Sequence, residues 1–284
     1  MKFKFLLVCL ILTHFGNAQE SKFTPEKMWE LDRLSGTIAS PNEKWAVYGV
    51  TDYDWTANKG KTSYYLYDLA TRKRNVLPID GAWNLAWNRA NQLTFLISEG
   101  DNTLLKALDP IANTQQTLHN FGNTAIEGLV ISADGKRFAT LESIKLNPIV
   151  TDQYSDLPKA NARIETSLMY RHWNAWSAEN GLHLFWYENV NGSFEKKGDV
   201  MRGESFPSVT GPFGGIESVC FSPDGKTIYY STKKKSGTAF AVSTNSEIYA
   251  FRTQDNITTT LTSAHKGYDT NPLTNSTGTT LAWL

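Results

Sequence analysis

Short apolar runs alternate with compact polar clusters along most of the chain, and the clusters share a chemistry. Ser222-Pro223-Asp224-Gly225-Lys226 lies between Val219-Cys220-Phe221 and Ile228-Tyr229-Tyr230. Ser132-Ala133-Asp134-Gly135-Lys136 lies between Leu129-Val130-Ile131 and Phe138-Ala139-Thr140, and Ser40-Pro41-Asn42-Glu43-Lys44 precedes Trp45-Ala46-Val47-Tyr48. Looser copies begin at Asn88, Ser177 and Thr274. In such a cluster Pro presets φ, Asp or Asn bonds the nearby backbone and Gly accepts positive φ, so each copy predicts a tight reversal between two strands. The copies start at 40, 88, 132, 177, 222 and 274, with intervals of 48, 44, 45, 45 and 52. A period near 45 in strand-rich units predicts an all-β fold, a β-propeller of WD40-like or TolB-like four-stranded antiparallel blades, with about six units and an unfinished last one.

One segment departs from this pattern. Between Lys159 and Trp176 the apolar residues Ile164, Leu168, Met169, Trp173 and Trp176 are spaced by 4, 1, 4 and 3, which predicts a short helix from Lys159 to about Ala175. Asp156 would cap it and Pro158 would start it. Its polar face would carry Arg163, Glu165, Arg171 and Asn174, on an insertion of the sort that repeat proteins place on a binding face.

The N-terminus follows a different rule. Lys2 and Lys4 precede an unbroken apolar run, Phe5 to Leu12, and Gly16-Asn17-Ala18 is a small-residue exit. Residues 1–18 therefore read as a secretory signal peptide, and residues 19–284 as the propeller, exported to the periplasm or beyond the cell. The run is about half the length needed to cross a bilayer, so no membrane span is expected after its removal.

Composition narrows the function. The 284 residues carry 28 basic and 28 acidic side chains, a formal net charge of zero, which argues against a nucleic-acid partner. With 14 Phe, 12 Tyr and 9 Trp there is ample apolar area for a core. Only Cys220 remains after signal removal, flanked by Val219 and Phe221, so it reads as a packed strand thiol. His119, His172, His183 and His265 lack metal-ligand spacing, so no metal and no cofactor are expected. Lys233-Lys234-Lys235 reads as a solvated hairpin tip and the three N-x-[S/T] triplets as turn chemistry.

Thr24-Pro25-Glu26-Lys27-Met28-Trp29-Glu30-Leu31, the S-P-D-G-K turns, and above all Asp156-Leu157-Pro158-Lys159 through Leu168-Met169-Tyr170-Arg171-His172-Trp173-Asn174-Ala175-Trp176 together resemble the N-terminal propeller of secreted prolyl oligopeptidase-family serine peptidases of the dipeptidyl and acylaminoacyl type. The resemblance implies a peptide substrate, an α/β-hydrolase domain of roughly 200 to 250 residues carrying the catalytic triad, and a propeller that restricts access to it. It further implies that a propeller carboxylate can hold the substrate ammonium, and Glu165, with Arg163 and Arg171 beside it, is the candidate substrate-binding group. No catalytic residue is expected within this chain. The nearest approach to a nucleophile elbow, Gly203-Glu204-Ser205-Phe206-Pro207, ends in Pro where the motif needs a small Gly, and no doubly wound pattern follows. The chain ends at Leu284 inside what reads as a second strand, as a truncated blade would. The alternative is a non-catalytic TolB-like binding propeller.

Overall fold

The computed structural model describes residues 23–284 other than 167, 169–170, 173–174, 177–178 and 212. The signal-peptide segment, residues 1–18, lies outside them. The strands are β1 (Arg33–Ala39), β2 (Trp45–Asp54), β3 (Lys59–Asp68), β4 (Arg74–Val76), β5 (Trp83–Trp87), β6 (Leu93–Glu99), β7 (Asn102–Asp109), β8 (Thr114–Asn120), β9 (Ile126–Ile131) and β10 (Arg137–Lys145). They continue as β11 (Arg171–His172), β12 (Ala175–Trp176), β13 (Asn180–Val190), β14 (Ser193–Asp199), β15 (Val219–Phe221), β16 (Thr227–Thr232), β17 (Glu247–Arg252), β18 (Ile257–Thr260), β19 (Leu273–Thr274) and β20 (Leu281–Ala282). Four sheets of four antiparallel strands form in the orders β1-β2-β3-β4, β5-β6-β7-β8, β9-β10-β13-β14 and β15-β16-β17-β18, and β19-β20 begins a fifth. This is the all-β propeller architecture that the period predicts.

The turn signals explain the repeat. At Ser132 the hydroxyl donates to Asp134 Oδ1 (2.6 Å), that carboxylate accepts from the Lys136 amide (3.0 Å), and the Arg137 amide donates back to Ser132 Oγ (2.9 Å). Ser222 and Asp224 repeat the pattern with Lys226 and Thr227, and Ser40 and Asn42 repeat it with Lys44 and Trp45. The Ser and Asp or Asn side chains of each reversal are thus paired with its own backbone, which helps a short link close. These links also stack from sheet to sheet. The Asn42 amide donates to Asn91 Oδ1 (3.0 Å), and a Cβ on Gly225, whose φ is +68°, would sit 3.1 Å from the Ser132 Cβ.

Between the sheets lie three apolar layers. Val47, Leu93 and Phe95 fill the first, Leu96, Leu105 and Phe138 the second, and Leu141, Leu184, Trp186, Ile228 and Tyr230 the third. Phe95 and Leu96 are adjacent yet enter different layers, because strands covered on both faces bury successive side chains. Inner strands are joined by Asn84, which tolerates φ 54° in a bulge of β5 and pairs with both polar groups of Leu129, donating from Nδ2 at 2.7 Å and accepting at 3.0 Å.

Two expectations need correction. The signal at Ser177 does not open a blade: β13 pairs with β10 along nine positions, from Lys145↔Asn180 to Arg137↔Glu188, so residues 146–179 are an excursion inside the third sheet. The described residues therefore hold four complete sheets and the start of a fifth, where the period suggested about six units. Among the described residues the helix from Lys159 to Ala175 is not present either. Residues 160–166 carry no regular structure, and β11 pairs with β12 in an antiparallel hairpin, Arg171↔Trp176 and His172↔Ala175. Ile164 is 51% exposed and Leu168 65%, so these two residues of the stripe are not buried against the fold, and a short helix without such packing is marginal in water. Trp176, on β12, has the strand preference of a large aromatic residue. The only helix of this excursion among the described residues is one turn, Val150–Gln153. Met169, Trp173 and Asn174 lie outside the described residues.

Candidate functional site

Antiparallel order sorts every connection to one of two ends. First-to-second and third-to-fourth strand links share one end, which we term the turn face. Second-to-third links and the passages between sheets share the other, the loop face. The loop face carries the excursion 146–179, the passage 200–218 and the connection 233–246 with its short helix Gly237–Val242. Exposed large apolar side chains gather there as well: Trp55, Leu157, Ile164, Leu168, Phe213 and Val242, the last at 86% exposure. Concentrated apolar exposure on variable loops is the mark of a surface that meets something else.

The excursion leaves the sheet through a narrow neck. Lys145 Nζ lies 2.5 Å from Asp152 Oδ2 and 3.6 Å from Glu179 Oε1, and the amides of Leu146 and Asn147 both donate to the Glu179 carbonyl. The hydrogen bond with Asp152 holds the Lys145 ammonium above its ordinary pKa, and the same bond holds the Asp152 carboxyl below its own. A Cβ on Gly181 would fall 2.2 Å from the Leu146 Cδ1, so any larger residue there would require the Leu146 side chain to move. Beyond the neck, Arg163 and Glu165 lie in the irregular stretch and Arg171 opens the hairpin, and all three are exposed. The structure thus places the three on one excursion of the loop face, though on no common helix.

Beneath the excursion lies a group that sequence reading missed. Glu142 on β10 is 3% exposed and its carboxylate accepts from Thr140 Oγ1 (2.7 Å), Tyr187 OH (2.8 Å) and Lys196 Nζ (2.6 Å). Burial, reinforced by the adjacent Glu142 charge, raises the Tyr187 phenol well above its ordinary pKa. Burial likewise lowers the His119 imidazole. The signal was a lone carboxylate inside the otherwise uncharged central run Phe138-Ala139-Thr140-Leu141-Glu142-Ser143-Ile144.

Nearer the third-to-fourth passage, His183 is 1% exposed, with Nδ1 at 2.8 Å from Asp199 Oδ2 and Nε2 at 3.1 Å from the Phe206 carbonyl. Both ring nitrogens face acceptors, so this His-Asp pair offers no basic nitrogen to a serine hydroxyl, and its work is to pin the passage. Ser205 is exposed in that passage, away from any strand-to-helix turn. Cys220 sits on β15, and burial pushes its thiol up to about 12, as expected of an unreactive strand cysteine.

No protein-family model matches the chain. Curated relatives do. Dipeptidyl-peptidase 5 of Porphyromonas gingivalis is 33% identical over 272 residues, 95% of this chain and 40% of that protein. The chain is homologous to dipeptidyl-peptidase 5. The relative of the same name from Porphyromonas endodontalis is 31% identical over 272 residues, 94% of this chain and 39% of that protein. The chain therefore spans about two fifths of the length of these relatives. Among solved structures, Pyrococcus horikoshii acylaminoacyl peptidase superposes with a TM-score of 0.56 at 12% identity, over 86% of this chain and 34% of that one, a likeness of fold. Among the described residues no helix is long and apolar enough to cross a membrane.

Proposed function

We propose that this chain is the propeller portion of an exported serine peptidase that releases short peptides, of the dipeptidyl or acylaminoacyl type, and that it gates substrate access while the catalytic residues lie in a hydrolase domain outside these 284 residues. The observation that carries the reading is the alignment with dipeptidyl-peptidase 5 along 95% of the chain at 33% identity. The loop face, with its exposed apolar side chains and its clamped excursion, is the surface such a role needs. The TolB-like binding propeller has no comparable support.

Within that reading Glu165 holds the substrate ammonium, with Arg163 and Arg171 shaping the charge around it. The test is Glu165→Gln in the full-length peptidase. Loss of a charge-assisted contact predicts a fall in kcat/KM of about 10- to 150-fold on substrates with a free N-terminus, with N-blocked peptides nearly unaffected. Equal rates for variant and wild type on both substrates would remove Glu165 from the site. The 284-residue chain alone should hydrolyse neither substrate, and labelling of any of its serines by a fluorophosphonate would refute the division of labour. Export predicts a mature N-terminus at Gln19, which N-terminal sequencing of the secreted protein checks.

A further inference from the structure

The run Lys233-Lys234-Lys235 is not the solvated hairpin tip that its charge suggests. Lys233 is 9% exposed, and its ammonium donates to the Phe240 carbonyl and stands 3.9 Å from the centre of the Phe240 ring. Lys234 reaches other partners: its Nζ lies 2.6 Å from Glu204 Oε1 and 4.1 Å from the centre of the Tyr249 ring. Both cations stand at the root of the connection 233–246, just beyond the end of β16 on the loop face. An ammonium taken out of water is costly unless oxygen or aromatic contacts replace its hydration, and each of these lysines has both kinds.

The two lysines do different things. Lys234 joins separate segments, because Glu204 belongs to the passage 200–218, and the nearby Thr232 hydroxyl makes a second tie to that passage at the Pro207 carbonyl (2.6 Å). Lys233 joins the connection to itself. It closes residues 233–240 into a loop that holds the start of the helix Gly237–Val242. No residue of that helix is buried, Ser236 gives it no side-chain cap, and Val242 is 86% exposed. At its far end the connection is fixed again: Asn245 Oδ1 accepts from the Gly267 amide (3.0 Å), and the Ser246 amide donates to the Gly267 carbonyl (2.9 Å). Between those anchors the helix has neither buried area nor a cap to hold it, so its local opening is governed by few contacts. The charged contact at Phe240 then decides whether it stays down.

We propose that residues 236–244 are a flap of the loop face, latched by Lys233 on Phe240, and that Lys234 on Glu204 holds the root of the flap to the neighbouring passage while it opens. The role of the flap rests on the peptidase reading: it stands on the face where substrate would enter, so its opening sets how long a peptide is admitted. Lys233 and Lys234 are positioning residues, acting through the flap and its root.

Hydrogen exchange on the full-length protein tests the latch, and peptide length tests its role. Lys233→Met keeps the stem and removes both contacts of the ammonium, so the amides of 237–242 should exchange about tenfold faster or more, with 200–218 unchanged. Lys233→Arg retains a cation and should restore most of the protection. In Lys234→Met the faster exchange should fall instead at 204–208. Unchanged exchange of 237–242 in Lys233→Met, or acceleration spread equally over both segments in both variants, would overturn the latch. In peptidase assays Lys233→Met should raise kcat/KM for a long peptide relative to a tripeptide by about threefold or more. A ratio that stays at the wild-type value while 237–242 exchanges faster would overturn the gating role. Exchange needs no substrate, so the latch is decided even if the full-length protein hydrolyses no peptide. Should Lys233→Met fail to fold, Phe240→Leu removes the ring, leaves the lysine, and carries the test with an acceleration of about threefold.

Discussion

The two ends of this propeller are built on opposite principles. On the turn face the links are short, their Asp, Asn and Ser side chains are spent on their own backbones, and successive links touch one another. On the loop face one excursion runs from residue 146 to 179, apolar side chains stand in solvent, and order comes from sparse side-chain ties such as Lys145–Asp152, His183–Asp199 and Lys234–Glu204. The same strands carry both. Closing one end with locally satisfied turns leaves the other end free to vary without dismantling the sheets, which is why a repeat scaffold can gather its functional residues on one side.

The largest expected effect breaks the turn face at its contact point. Gly225→Val places a β-branched side chain at φ +68° with its Cβ 3.1 Å from that of Ser132. Left-handed strain and overpacking together predict a loss of about 3 kcal/mol or more, read as a fall in the urea midpoint or as failure to accumulate folded protein. The equivalent change at Gly135, whose φ is +69° but around which a Cβ meets nothing within 4 Å, should cost distinctly less. Equal losses at the two glycines would mean that the stacking of turns contributes nothing.

The turn face was legible in the sequence and the loop face was not, for a physical reason. A reversal such as Ser222-Pro223-Asp224-Gly225-Lys226 finds its side-chain partners between Ser222 and Thr227, so its composition specifies its shape. The period, the strand pairing around every signal except Ser177, and the packed Cys220 followed from it. The stretch 159–176 has no such closure. Its helical spacing was genuine, but its conformation depends on what covers Ile164 and Leu168, and in the fold nothing among the described residues does so enough to bury them. The Ser177 signal failed for a related reason, since local chemistry marks where a strand can start but not which sheet it will join. Glu142 was missed because its partners Tyr187 and Lys196 lie 45 and 54 residues away.

A middle-sized effect is expected beneath the loop face. Lys196→Met leaves the Glu142 carboxylate, 3% exposed, with only the hydroxyls of Thr140 and Tyr187. Breaking a buried pair from one side costs more than the pair contributes, and because Lys196 is 43% exposed the loss should fall at about 2 to 3 kcal/mol, below that of a fully buried pair. Adding Glu142→Leu should recover part of it, since the uncompensated charge disappears. A single variant as stable as wild type by chemical denaturation would show that the hydroxyls alone suffice.

The smallest effect has the opposite sign and returns to the turn face. Glu43 occupies, at φ 58°, the place that Gly135 and Gly225 hold in the equivalent turns at 69° and 68°. It is exposed, and its backbone amide already makes the reversal's hydrogen bond to the Ser40 carbonyl at 2.9 Å, so replacing the side chain leaves the turn intact. Glu43→Gly removes a left-handed penalty of about 1 to 2 kcal/mol but adds back the conformational entropy that glycine loses on folding, about 0.5 to 1 kcal/mol. The difference predicts a gain of about 0.5 to 1 kcal/mol, a rise in Tm of about 1 to 3 °C by calorimetry. Glycine placed instead at Lys44, next in sequence but outside the left-handed region, should lower Tm. If both substitutions lower it, the first link is not strained, and the turn face owes its regularity to the stacking of links and not to the fitness of each one.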